Sequence, residues 1–355
     1  MWALINETPF AAERAFARDR EGAEVWLVVV KGTFTVTPDG STEIAAKQEP
    51  VLHAPVYVGE PGKSSLRYEA DLVLTKPTTD VLLHGHAYAP NNRPAPEVTV
   101  TLSVDSLTKT LRVVGDRTWT DGWRRPKLSE PIPFGKMPLV YERAYGGEDI
   151  HQSTRDKRNP VGKGFFVKPE ELPETAAPNI DYPDASDSAT GDKRRPAGFG
   201  PIARDWSPRL ELAGTYDAAW SEHRKPLVPV DFDDRFYQAA PADQQAPRYL
   251  SGGEDVELVN LTPSGRLHFH LPRVAIGCET TIRRKHEWGR PDLHTVVIEP
   301  DLNRVILVWH TALPCHFTAY DLQRTRVYLK RRLESVRPTN RKSAAAGETT
   351  RRRAE

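Results

Sequence analysis

The sequence predicts a mainly β protein, with β-sandwich-like antiparallel sheets and a long Pro- and aromatic-rich irregular central segment. Three observations carry that expectation. Both flanks of the chain hold short runs of β-branched and alternating apolar residues separated by turn residues. Few stretches show a helical period. Twelve of the 31 prolines fall between Pro160 and Pro247, in a stretch that also carries Phe165, Phe166, Tyr182, Phe199, Trp206, Tyr216, Trp220, Phe232, Phe236 and Tyr237. Disordered linkers are rich in proline but poor in rings, so this composition predicts ordered, irregular backbone packed on a framework.

Taken in order, residues 24–37 (EVWLVVVKGTFTVT) read as a strand whose centre is apolar on both faces. Pro38-Asp39-Gly40 is turn chemistry, with Ser41 to Lys47 returning antiparallel. Leu66 to Thr75 alternates with Leu66, Tyr68, Ala70, Leu72 and Leu74 on one side, and Val81 to Tyr88 resumes the pattern after a break at residues 76–80. Glu97 to Val104 alternates clearly, Asp105 to Thr108 turns, and Lys109 to Val114 follows. The proline density of the middle forbids long regular elements and leaves room for a short helix near Asp217 to Arg224. Further strands are expected at Asp255–Leu261, Leu267–Leu271, His294–Glu299, Arg304–His310 and Thr325–Arg331, with a hairpin turn at Asp301-Leu302-Asn303. The division is therefore 1–120, an N-terminal β-rich part; 121–250, the irregular segment packed on the sheets; 251–335, a C-terminal β-rich part of the same fold; and 336–355, a disordered basic tail. No short-period repeat is present.

Composition narrows the function classes. The chain has 355 residues, with 49 Lys+Arg against 48 Asp+Glu, which argues against a generally basic nucleic-acid binder. Nine basic residues against three Glu fall between Lys330 and Glu355, an end more often solubilising than specific. Only Cys278 and Cys315 are available for a disulfide. The opening MWALINETPFAAER lacks a basic region followed by an apolar core, and the longest apolar runs, such as Val25 to Val30, fall far short of a membrane span of about 20 residues. A soluble cytoplasmic protein without membrane insertion is the expectation.

Candidate chemistry is sparse. His84 and His86 form an HxH pair, as do His268 and His270, and on a strand each pair shares a face that can grip a metal. Cys278, His286, Cys315 and His316 would have to add ligands through long-range assembly, and ordinary polar strand residues are the simpler reading. Glu142, Glu148 and Asp149 flank Tyr145-Gly146-Gly147, and Asp231, Asp233 and Asp234 cluster in PVDFDDRF. Paired carboxylates can hydrolyse glycosides, but acids beside Arg235 serve equally as loop-ordering ion pairs and caps. Gly162-Lys163-Gly164 lacks the spacing and strand-to-helix frame of a phosphate loop and reads as a tight turn. No GxSxG is present, and neither cysteine has a nucleophile signature around it.

An ordered set of phrases points further. It runs from Asn6-Glu7-Thr8-Pro9-Phe10 and Val29-Val30-Lys31-Gly32-Thr33-Phe34 through Lys76-Pro77, Asp80-Val81, Gly85-His86-Ala87 and Tyr141-Glu142-Arg143-Ala144-Tyr145-Gly146-Gly147. Asn159 to Phe165, Pro178-Asn179-Ile180, Pro196 to Ile202, Trp206, Pro208-Arg209, Gly214 to Asp217, Trp220, Pro226-Leu227, Asp231 to Phe236, Ala239 to Gln244 and Gly253-Glu254 continue it. In this order the phrases resemble the bacterial type VI secretion accessory family long catalogued as a domain of unknown function, over roughly residues 1–330. The resemblance implies an effector chaperone or loading adaptor, with a secreted effector, a PAAR-repeat protein and the VgrG spike as partners. It implies no catalytic motif and no cofactor. The residues expected to meet a client are Trp206, Trp220, Asp231, Phe232, Asp233 and Arg235, each of which also has a reading as internal packing or loop hydrogen bonding. The alternatives are a β-sandwich hydrolase using acids such as Glu142 and Asp233, and a structural piece of the secretion apparatus.

Overall fold

A computed structural model describes residues 2–122, 126–185, 194–315 and 319–330. Strands hold 41% of the chain against 10% in helix, and they pair into several mostly antiparallel sheets with no barrel, so the predicted fold class is the observed one.

The central element is the strand Glu24–Val36, flanked by Ala11–Arg18 on one side and Arg304–Pro314 on the other. Asp292–Glu299 continues the sheet, Asp80–Leu83 lies parallel at its far edge, and Thr42–Ile44 pairs with the end of the long strand. The first and last parts of the sequence are thus hydrogen-bonded neighbours, with Val30 opposite Trp309. The pleat explains the double apolar character of Val25 to Val30. Trp26, Val28, Val30 and Phe34 enter the main core, whereas Val29 joins Ile306, Val308, Val297 and Leu82 on the opposite face. That second face is covered by Val51, Tyr68, Leu72 and Ala240, so irregular chain does the work of another layer.

A five-stranded sheet supplies the other side of the main core. Its order is Ile180–Asp181, Leu107–Val114, Glu97–Val104, Asp255–Val259 and Arg266–His270. Val98, Val100, Leu102 and Val104 point inward as their alternation predicts, alongside Val256, Leu258 and Phe269. A third sheet joins Ala3–Asn6, Leu322–Leu329, Ile276–Ile282 and Lys285–Gly289. It shares the core through Ile276, Cys278, Leu322 and Val327, and the buried Trp26 indole donates to Thr325 Oγ1 at 2.8 Å.

Several expectations are corrected. The run Leu66–Thr75 is a strand only over Leu66–Tyr68. Beyond it Glu69 and Asp71 turn inward to meet Arg209 and Lys31, and those ion pairs override the alternation. Val81–Tyr88 is two pieces, Asp80–Leu83 and His86–Tyr88, which belong to different sheets because the chain changes direction at His84-Gly85. The short helix is present as Ala218–His223, with Asp217 capping the Trp220 amide at 2.8 Å. Cys278 and Cys315 are free thiols. The basic tail and His316 lie outside the described residues.

Leu102 is fully buried and Thr99 is exposed on the same strand. Leu102→Ala should cost about 2–5 kcal/mol in urea unfolding, and Thr99→Ala about 0.5 kcal/mol or less. Equal shifts in the two variants would contradict the assigned faces.

Candidate functional site

The irregular segment is fixed to the sheets by buried polar clamps. The side chain of Arg209 is only 3% exposed; Nη1 lies 2.6 Å from Glu69 Oε2 and donates to the Ile202 carbonyl at 2.8 Å, while Nε donates to the Phe236 carbonyl at 2.7 Å. Its guanidinium also lies over the Phe236 ring. One cation therefore ties a framework residue to two distant points of the coil. Burial works to raise the Glu69 carboxyl, but Arg209 and Arg204 overcome it and hold the group below its ordinary value. From the five-stranded sheet, Lys109 Nζ donates to the Gly198 carbonyl (2.6 Å), Gln244 Oε1 (2.8 Å) and Asp243 Oδ1 (2.9 Å). Burial pushes this ammonium down to about 8 against the opposing pull of Asp243. Gln244 in turn donates to the carbonyls of Val81 and Phe199, and the Asp80 carboxylate accepts from Lys76 and the Ala239 amide.

The six expected contact residues divide. Trp206 is buried edge-on against Tyr141 at 5.6 Å, and Phe232 is buried between Phe236 and Tyr237. These two rings hold the segment down and present no surface. Trp220 is half-buried, its indole donating to the Leu227 carbonyl at 2.8 Å. Asp231 accepts from the Thr215 amide and hydroxyl at 2.9 and 2.8 Å, and Asp233 takes the Arg235 guanidinium at 2.6 Å while accepting the Arg235 amide. The acids thus order loops, and Arg235 remains exposed on the outside.

Around these ties lies a surface of which the sequence pointed to Trp220 alone. Tyr216 is 55% exposed and meets Trp220 edge-on at 4.7 Å, and Val230 is 75% exposed. The Thr215–Asp231 hydrogen bonds join the residues next to each, which places Tyr216, Trp220 and Val230 about one corner of the module. The module leans on the hairpin turn Asp19–Ala23: Arg20 Nη2 donates to the Val230 carbonyl at 2.8 Å, Arg224 Nη2 donates back to the Arg20 carbonyl, and Leu227 lies against Gly22. Pro229 beside Val230 is the sequence signal for a fixed exposed turn there.

Other candidates are placed as follows. Glu142 accepts from the Ser65 amide and hydroxyl at 2.7 and 2.8 Å and orders that loop. Asp149 accepts the amides of His151, Gln152 and Val167. Lys163–Gly164 pairs in parallel with Tyr145–Gly146, and the buried Asn159 amide donates to the carbonyls of Tyr141 and Tyr145. Gly164 takes a φ of +85°, the turn geometry expected of it. His84 and His86 do not converge, since His86 is bonded to Asp301 while His84 packs edge-on against Tyr68. His268 and His270 do converge, on Asp255. A cavity of about 480 Å³ is lined by Leu293, Trp309, Asp292, Arg273, Arg290 and Lys330 among others, with neither Glu142 nor Asp233 in its wall.

Two further buried histidines, His294 and His310, stack with ring centroids 4.6 Å apart. Burial pushes them down to about 2 and about 4, with the His310 ring and then Lys76 adding to it at His294 and Lys76 at His310. Burial likewise pushes His84 down to about 4.

Two predictions follow from these groups. Removing Arg209 takes away the buried partner of Glu69 and leaves only the half-exposed Arg204 at 3.0 Å, so Arg209→Met should cost about 3 kcal/mol, and Glu69→Gln/Arg209→Met should cost clearly less than the sum of the single variants. Additive losses would refute the coupling. The three histidines are depressed in the folded chain, so the unfolded chain takes up protons first. Their contribution is complete above the unfolded value of 6.5 and is lost as pH falls through the folded values, at up to about 1.4 kcal/mol per pH unit for each. Urea midpoints should drop between neutrality and pH ~4.5, and a flat profile would contradict these assignments.

Residues 21–310 match the model of a family described as "Uncharacterized protein conserved in bacteria (DUF2169)". No curated protein and no solved structure matches the chain. The family match takes in the long central strand, the clamped segment and most of Arg304–Pro314, which pairs back to that strand, and the chain is a member of the DUF2169 family.

Proposed function

We propose that this protein is an adaptor-chaperone of a bacterial type VI secretion system, binding an effector, with or without a PAAR tip, and passing it to the VgrG spike. The observation that carries the reading is a corner of exposed ring and aliphatic surface tied by hydrogen bonds within its own loops and to the turn Asp19–Ala23. Tyr216 and Val230 stand out, with half-buried Trp220 against Tyr216, from a module whose buried rings are Trp206 and Phe232. A holding surface works best when it is ordered before binding, because less freedom is then lost on association. Exposed apolar side chains are also what a client's apolar segment requires for cover in water. The resemblance of the ordered phrases supplies the secretion context, and membership of a bacterial family agrees with it at the level of source. No helix among the described residues is long and apolar enough to cross a membrane.

The hydrolase alternative draws less support. Glu142 and Asp233 are each engaged in ordering their own loops and lie outside the wall of the 480 Å³ cavity.

The test is co-expression with the effector encoded beside this gene. The wild-type chain should co-purify with that effector, and deletion should lower effector level and secretion. Val230→Asp, at a position too exposed to affect folding, should weaken capture at least tenfold, the effect of about 1.4 kcal/mol. Unchanged secretion after deletion would sink the reading; full capture by Val230→Asp and Tyr216→Ala alike would remove this surface from it.

A further inference from the structure

We propose that Asp255, His268 and His270 bind a divalent cation of the zinc class on the outer face of the five-stranded sheet. The inference is independent of the adaptor reading and departs from the expectation of a protein without metal.

The pleat sets the positions. Val256, Leu258 and Phe269 are buried on the inner face, so their neighbours Asp255, Glu257, His268 and His270 must point outward. Asp255 stands directly opposite His270, and Glu257 opposite His268. His268 Nε2 lies 3.0 Å and His270 Nδ1 2.7 Å from the same oxygen, Asp255 Oδ1. The three ligand atoms lie within 4.8 Å of one another. Zinc bonds of about 2.0–2.2 Å at tetrahedral angles require ligand atoms about 3.3 Å apart. The observed spacing therefore needs only a small outward turn of the rings, without backbone change.

Charge agrees. Two neutral imidazoles and one carboxylate offer a single negative charge and the nitrogen-rich set that favours zinc-class ions over magnesium or calcium. Glu257 is taken by Arg266 at 3.3 Å, and among the described residues neither Lys nor Arg pairs with Asp255. All three side chains are more than half exposed, so an ion enters freely and keeps a coordination position open to water or to a ligand from another molecule.

The experiment is calorimetric titration of the full chain, stripped with chelator and dialysed, with Zn²⁺ and separately with Mg²⁺. The wild type should take up one more zinc equivalent than His268→Ala/His270→Ala, and Asp255→Asn should bind that equivalent at least tenfold more weakly. Magnesium should give no matching site. Thermal melting provides a second readout: zinc should raise the wild-type midpoint by more than it raises that of either variant. Zinc binding and midpoint shifts that are the same in the wild type and Asp255→Asn, or in the wild type and the double variant, would overturn the assignment; should the double variant fail to fold, Asp255→Asn alone decides it.

Discussion

The structure depends on one constraint, the burial of charged side chains where irregular backbone meets the framework. Arg209 and Lys109 each satisfy several carbonyl and carboxylate oxygens from segments far apart in sequence. Coil cannot pair its own peptide groups as helix or sheet does, so each buried carbonyl needs a partner supplied from elsewhere. A buried cation with several donors meets several such needs at one point. Its own burial is unfavourable unless the geometry is complete, and that condition makes the arrangement stringent: the coil is either seated on the sheets with its oxygens in place, or the charges are stranded.

This stringency accounts for the composition of the middle of the chain. Prolines restrict the unfolded ensemble and so reduce the entropy lost when the coil is seated. The rings do two different tasks. Trp206, Phe232 and Phe199 are buried and fill the space under the coil, whereas Tyr216 stands half in solvent with Trp220 at its edge. Because the inner rings and clamps fix the backbone, the outer side chains keep their relative positions without needing regular secondary structure. The result is an ordered corner at which apolar side chains stand on an otherwise polar surface.

Legibility in the sequence followed the physics of each part. Strands with strong alternation or β-branched runs, such as Glu97–Val104 and Glu24–Val36, were readable because burial on known faces dictates their residues. Ala11–Arg18 and Lys285–Gly289 were not, since AAERAFAR and KHEWG have little β propensity and form strands only because the neighbours Glu24–Val36 and Ile276–Ile282 offer unpaired edges. The richness of the middle in rings was readable, but not which rings face outward. Trp206 and Trp220 look equivalent in sequence and differ only through the long-range contact of one with Tyr141. Glu69 and Asp71 read as the polar side of a strand, and only the arrival of Arg209 and Lys31 reveals them as buried anchors.

The convergence of His268 and His270 on Asp255 shows the same limit from the other direction. An HxH pair announces only that two imidazoles share a face of a strand. Whether they can act together depends on what the neighbouring strand puts opposite them, and here the register of Asp255–Val259 places a carboxylate between them. The pair at His84 and His86 has the same spacing and loses its shared face because the chain leaves one sheet for another between them. Spacing is therefore necessary but sheet register decides, and register here is fixed by Val256, Leu258 and Phe269 in the core. A shift of one residue in that pairing would turn those apolar side chains to water and the histidines inward. The outer face of the sheet is consequently as well defined as its inner one.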